Sequence, residues 1–311
     1  MFMPIIKKIS VFIPFLITGL IIYLLFSNFD IGQTVRIIQT GSKFFLFLSI
    51  FFIFLTTLVL ALRWKIMLGL CGHKDSYNNI LKKYLASVPF SKTTPSNSGD
   101  FIRAVYTKNK IGLTKGSGIV FMENLLDIYV LTFFALFGSL IKGMLGIFLI
   151  IFFIVVLSFF LLFILNKINL SKLRLNNKFK QKIQSFFSIF REFKKNSISF
   201  FLKILILTSS AWILVIGSFV CLFIAFGIDV PFFEVVFLQP IIIFLGLLPI
   251  TVSGVGIRES AIIFFYAGYG SAASLMAVGL SYSCFSAIIL PLLYLPFSYQ
   301  IIKKKLFYAR K

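Results

Sequence analysis

The chain has 311 residues, 59% of them hydrophobic and only 13% charged, and its mean hydropathy is +1.02. A soluble domain of this length shows water far more charge than that, so the composition excludes one and places the chain in a bilayer as a multi-pass protein. The formal net charge of +22 does not point to nucleic acid, because lysines and arginines gather at the ends of apolar segments, as in cytoplasmic loops facing an anionic leaflet.

In chain order, apolar segments fall near 9–26, 44–62, 78–90, 119–140, 144–165, 204–226, 232–249, 259–269 and 271–299. They are rich in Phe, Leu and Ile and lack two-residue alternation, so they read as helices and not as barrel strands. The 42 phenylalanines are read as lipid-facing filler. The first run follows Lys7 and Lys8, but 27–30 (Ser-Asn-Phe-Asp) offers no small-residue cleavage site, so it reads as a retained helix. Segment 44–62 ends at Arg63, Trp64 and Lys65, read as interface anchors. Segment 78–90 carries Lys82 and Lys83 near its start, and 259–269 is half the roughly 20 residues a span needs. The stretch 166–203 holds ten Lys/Arg and one acid, Glu192; its Phe179, Ile183, Phe186, Phe187, Phe190 and Phe193 among lysines suggest an interfacial helix on an anionic leaflet.

Charge parity then fixes a topology. With 166–203 and both termini cytoplasmic, 63–118 begins and ends inside, and 230–270 begins and ends outside. Each of these stretches holds a copy of one motif. Pro95 is followed by Ser98-Gly99-Asp100-Phe101-Ile102-Arg103, and Pro249 by Ser253-Gly254-Val255-Gly256-Ile257-Arg258, with Glu259 next. The expected fold is all-α: about six full crossings plus two oppositely inserted re-entrant helical hairpins, forming an inverted repeat. The whole chain, 1–311, reads as a single integral membrane domain, with repeat A at about 44–165, a basic cytoplasmic linker at 166–203 and repeat B at about 204–299. The competing reading makes 78–90 and 101–118 surface helices and the echo a coincidence.

The charges in these breaks are the candidate substrate-binding residues. Asp100 and Arg103 share a helical face, Glu123 and Asp127 share another at a spacing of four, and Arg258 and Glu259 follow the second turn. A lone charge in hydrocarbon costs about 2.5–3.5 kcal/mol on insertion scales, so these six are expected to converge and compensate one another, leaving a formal surplus of −2. The half-helices opened at Ser98-Gly99 and at Ser253-Gly254-Val255-Gly256 present unpaired N–H groups that favour an anion, and arginine adds a fork for phosphate oxygens. Simpler roles exist for each: Arg103 snorkelling to the cytoplasmic face, Glu123 facing a helix dipole, Glu259 pairing with Arg258 or Arg103, and Gly116 and Gly118 serving helix packing. Cys71, Cys221 and Cys284 have no metal or disulfide spacing, and His73 stands alone, so no metal, cofactor or catalytic triad is expected.

Arg63-Trp64, Pro95…Gly99-Asp100-x-x-Arg103, Glu123-x-x-x-Asp127 and Pro249…Gly254-x-Gly256-x-Arg258-Glu259 together resemble the lysylphosphatidylglycerol synthetase transmembrane-region family of flippase-like membrane proteins. The resemblance spans almost the whole chain, with Asp100 where the family more often has Glu and Asn124 where it often has Arg. It implies a lipid translocase in a bacterial or archaeal plasma membrane, moving a phosphate-bearing lipid between leaflets: a phospholipid, an aminoacyl-phospholipid, a glycolipid or a polyprenyl-phosphate-linked molecule. The expected partners are membrane lipids with anionic headgroups and, in some arrangements, a separate lipid synthase or glycosyltransferase. Family members that make the aminoacyl-lipid carry a soluble transferase domain, which this chain does not show, so it is not expected to be an enzyme. Two other functions fit the residues: a membrane-embedded transferase using Asp100 or Glu123 as a base, and an accessory subunit of a lipid synthase.

Overall fold

The computed structural model describes residues 3–94, 98–167, 177–247 and 250–309, so Pro95 and Pro249 of the two motifs lie outside the described residues. Helices dominate: α1 Met3–Asn28, α2 Ile31–Thr40, α3 Lys43–Leu68, α4 Tyr77–Lys92, α5 Ile102–Ile111, α6 Leu113–Ile141, α7 Leu145–Lys167, α8 Asn177–Lys195, α9 Ile198–Ala225, α10 Phe232–Leu247, α11 Ile257–Phe265, α12 Ala272–Cys284 and α13 Leu290–Ala309. One turn of π-helix, Phe285–Ile289, joins α12 to α13, so the two run on as one rod. Among the described residues, four helical stretches are long and apolar enough to cross a membrane: Lys43–Cys71, Leu113–Ile141, Ile198–Ala225 and Ala272–Lys303. Shorter apolar stretches are Pro14–Leu25, Leu145–Ser158 and Phe232–Leu247. The outer faces of α3, α6 and α7 expose Phe47, Phe133, Leu149 and Phe153, as a lipid-facing surface does.

Local chemistry sets several boundaries. Ser76 caps α4 through the Asn79 amide, and Asp75 receives hydrogen bonds from Asn79 and Lys83. Burial pushes the Asp75 carboxyl up, but these bonds outweigh it and hold the group below its ordinary range. Ser197 and Ser271 cap α9 and α12 in the same way. The sequence reading missed α2, whose N-cap is Asp30; its ten residues alternate polar and apolar in helical period, and it packs on α12.

The packing of the two halves exchanges one for the other. Helix α3 lies along α9; α4 packs on α3 and on α13, while α10 packs on α9 and on α6. Likewise α5 returns against α6, and α11 against α12. The contacts of α3, α4, α5 and α6 therefore map onto those of α9, α10, α11 and the α12–α13 rod. Helices α1, α2, α7 and α8 stand outside this exchange. The apolar face of α8 is not simply laid on lipid: Ile189 is fully buried, and the Phe186 and Phe190 rings pack at a tilt against Phe121 of α6.

Lipid tails are as apolar as leucine, so close approach and hydrogen bonding decide which helices associate. Small residues supply the approach. A Cβ on Gly118 would lie 2.7 Å from the Phe186 carbonyl oxygen, and one on Gly138 would lie 2.2 Å from that of Phe237, so α6 touches α8 and α10 backbone to backbone. Gly116 likewise packs against Ala104 of α5. Gly138→Val is expected to cost at least about 3 kcal/mol, the top of the overpacking range, because the clashing atom is a backbone carbonyl, measured by detergent-titrated unfolding; an unchanged midpoint would show that α10 does not need this seam.

Candidate functional site

The first motif builds an ion network. Arg63, near the end of α3, is 2% exposed and grips Asp127 of α6 with both guanidinium tips, at 2.6 and 2.8 Å. Its Nη1 also donates to Thr208 of α9 at 3.0 Å. Arg103, in the first turn of α5, donates to Glu123 Oε2 at 2.7 Å and lies 3.7 Å from Asp100. Glu123 is fully buried and sits between the arginines, its Oε1 being 3.6 Å from Arg63 Nε. The Trp64 and Tyr84 rings flank the Arg103 guanidinium at 5.5 and 5.0 Å, and Trp212 donates its indole N–H to Asp127 at 3.2 Å. The interface-anchor role expected for Arg63 and Trp64 is thus overturned. Both are buried, because α3 turns that face towards α6 and α9 rather than towards headgroups.

The second motif builds a smaller cluster. Arg258 donates to the Ser253 carbonyl at 2.9 Å and to the Ser283 hydroxyl at 3.0 Å, and lies 5.0 Å from the Tyr282 ring. Glu259 is fully buried; it accepts from the Ser283 hydroxyl and from the Gly256 amide, both at 2.5 Å. The amide expected to greet an external anion is taken by this carboxylate instead, a local N-terminal cap for α11. No ion pair within 4 Å joins Arg258 to Glu259 among the described residues, nor either of them to the first cluster. The charges therefore form two clusters and not the single one expected. With Arg63 and a residue the sequence reading passed over, Lys92, four cations face four carboxylates, and the expected surplus of −2 vanishes.

The two breaks meet. The Ser253 hydroxyl donates to the carbonyl of Lys92, the last residue of α4, at 2.8 Å. Ser253 holds φ 54, in the left-handed region that costs a residue with a Cβ of order 1–3 kcal/mol, so the tertiary structure imposes this turn. Each turn also closes against its own first arm. A Cβ on Gly99 would lie 2.0 Å from the Phe90 carbonyl oxygen, and one on Gly254 would lie 2.6 Å from that of Gly246. The Gly99 amide donates to Thr94 at 2.6 Å; Ser98 opens the 3-10 turn ahead of α5. From outside the repeats, Thr18 of α1 accepts from the Val252 amide at 2.9 Å, so α1 seals the second turn.

A cavity of about 230 Å³ lies between the halves. Arg63, Lys92, Asp100, Arg103 and Asp127 line it, together with the apolar Leu60, Val88, Val215, Leu247 and Leu290. Tyr282 and Ser286 reach it from the α12–π turn, which has no signature in the sequence. π-turns inside helices gather at functional sites. Of the sequence candidates, Asp100, Arg103 and Asp127 line the cavity; Glu123 reaches it only through its bond to Arg103, and Ser98, Gly99, Ser253, Gly254, Gly256, Arg258 and Glu259 are not among its lining residues.

The model of the family described as the lysylphosphatidylglycerol synthase TM region matches residues 11–293 of the chain. The chain belongs to that family. The match takes in α1 from residue 11 onward, both motifs and both charge clusters, and it agrees with the all-helical, multi-pass membrane architecture. Membership ties the chain to a family concerned with lipid synthesis and translocation. No curated protein matches the chain.

Proposed function

We propose that this protein is a lipid translocase that carries a phosphate-bearing headgroup between the leaflets of a plasma membrane without altering the lipid covalently. The observation that carries the proposal is the cavity, lined by both charged and apolar side chains, at the seam of two halves whose packing exchanges one for the other. Its 230 Å³ is below the roughly 300–1,000 Å³ of sites that swallow a drug-sized ligand, so it suits a headgroup whose acyl chains stay in the bilayer. Rocking of one half against the other around a site at their seam is the alternating-access scheme of inverted-repeat transporters. In this scheme 78–118 and 230–270 are the re-entrant hairpins, entering from the cytoplasmic and the outer face. A salt bridge between Lys142, after α6, and Glu234, in the first turn of α10, ties the halves together on the face that this scheme makes the outer one.

The reading is tested in proteoliposomes that follow leaflet exchange of a fluorescent phospholipid. Arg258→Ala and Glu259→Gln are expected to slow exchange by at least about 100-fold, the cost of misplacing a site by an ångström, while the variants remain folded. Wild-type rates in both variants would overturn it. So would recovery of a covalently changed lipid after incubation with the purified protein, which marks a transferase, or exchange that begins only when a separate synthase is added, which marks an accessory subunit.

A further inference from the structure

The three cations that line the cavity are not equivalent. Arg63 is forked onto Asp127, and Arg103 is bonded to Glu123 with Asp100 beside it. Each guanidinium is already charge-compensated by a carboxylate within 3 Å, so a ligand phosphate there would have to share the cation with that partner. Arg258, behind the second turn, is held by Ser253 and Ser283. Lys92 alone of the cavity's cations has no carboxylate within 4 Å and no side-chain hydrogen bond among the described residues. Its charged neighbours are Asp100 and Arg258. Its backbone, by contrast, is pinned across the seam by the Ser253 hydroxyl.

Building on the translocase reading, we infer that Lys92 is the residue that takes the headgroup phosphate oxygen, and that Arg63 and Arg103 only hold the carboxylates that shape the cavity. An ammonium on a four-carbon stem is a mobile point charge; it can follow a phosphate as the halves move, which a guanidinium locked in a fork cannot. A phosphate oxygen accepting from this ammonium also supplies the direct hydrogen-bond partner that it lacks among the described residues. The Ser253–Lys92 bond then makes the second turn feel occupancy of the first, because phosphate is bound at the junction of both.

The protein carries its own reporter. Both of its tryptophans, Trp64 and Trp212, stand at this site, one against Arg103 and one on Asp127 at the cavity wall. Tryptophan emission of the purified full chain is titrated with dihexanoyl phosphatidate, with uncharged dihexanoylglycerol and with inorganic phosphate. Wild type is expected to saturate with the phosphatidate and not with the diacylglycerol. Lys92→Met should raise the half-saturation at least about ten-fold, the loss of one charge-assisted contact, and Lys92→Arg should recover most of it. Equal half-saturation in wild type and Lys92→Met, while Arg258→Ala still abolishes leaflet exchange, would overturn the Lys92 assignment and leave the translocase standing. A Lys92-dependent response to inorganic phosphate as tight as that to phosphatidate would support the contact but make its ligand a free anion, which sinks the lipid reading. No response to any of the three in wild type would overturn both.

Discussion

Replacing Arg63 by methionine should destabilise the protein by about 3–5 kcal/mol, the cost of removing one partner from a buried ion pair. Asp127 would lose both bonds of its fork, and Glu123, fully buried, would be left to Arg103 alone. The deficit comes less from the lost attraction than from the fully buried Glu123 and the mostly buried Asp127 left short of a counter-charge. The double replacement Arg63→Met with Asp127→Leu should therefore recover most of the stability, since it removes both charges together. It should not recover leaflet exchange, because the cavity loses two of its five charged lining side chains, Arg63 and Asp127. Unfolding of each variant in detergent-titrated micelles, followed by helix signal, measures the first claim, and proteoliposome exchange the second. A single Arg63→Met variant as stable as wild type would show that the network is decoration.

The second large effect is expected from the turns. Gly99→Ala and Gly254→Ala should each cost at least about 3 kcal/mol, the top of the overpacking range, because the clashing atoms are backbone carbonyls with no rotamer to escape into. Gly254 adds a φ of 74, which disfavours any side chain. Both substitutions pry a turn away from its first arm, so exchange should fall even in the fraction that folds. Gly69→Ala is the control: its φ is −57 and no heavy atom lies within 4 Å of the added Cβ, so stability should hold or rise by up to about 1 kcal/mol. If Gly99→Ala behaves like Gly69→Ala, the closure of the first turn on Phe90 is not a constraint.

Much of the architecture was legible beforehand because its cause is local. Apolar runs without alternation become helices wherever lipid leaves the backbone no other partner, and the runs near 44–62, 119–140 and 204–226 sit on α3, α6 and α9. The two Ser-Gly-x-x-Ile-Arg motifs pointed to the helix breaks, since glycine is demanded where a chain returns against its own carbonyls. Glu123 and Asp127 could be put on one face by their spacing alone. Arg63 could not be placed. An arginine beside a tryptophan at the end of an apolar run is the usual mark of a membrane interface, and nothing within the segment says that α3 will turn it inward. Lys92 was missed for a similar reason: a lysine at the end of a short helix looks like solvated punctuation.

By itself the sequence decided what each segment is: helix or break, lipid-facing or charged, and which stretch echoes which. Those properties follow from composition and from neighbours within one or two helical turns. Only the tertiary structure decided who meets whom. Arg63 finds Asp127 from 64 positions away, and Ser253 reaches Lys92 from 161, through the packing of α3 against α9 and of each half's returning arms against the other. Charge pairing in a dry interior is settled by distances of an ångström or two, and those depend on every helix–helix seam at once, a sum that no single stretch of sequence contains.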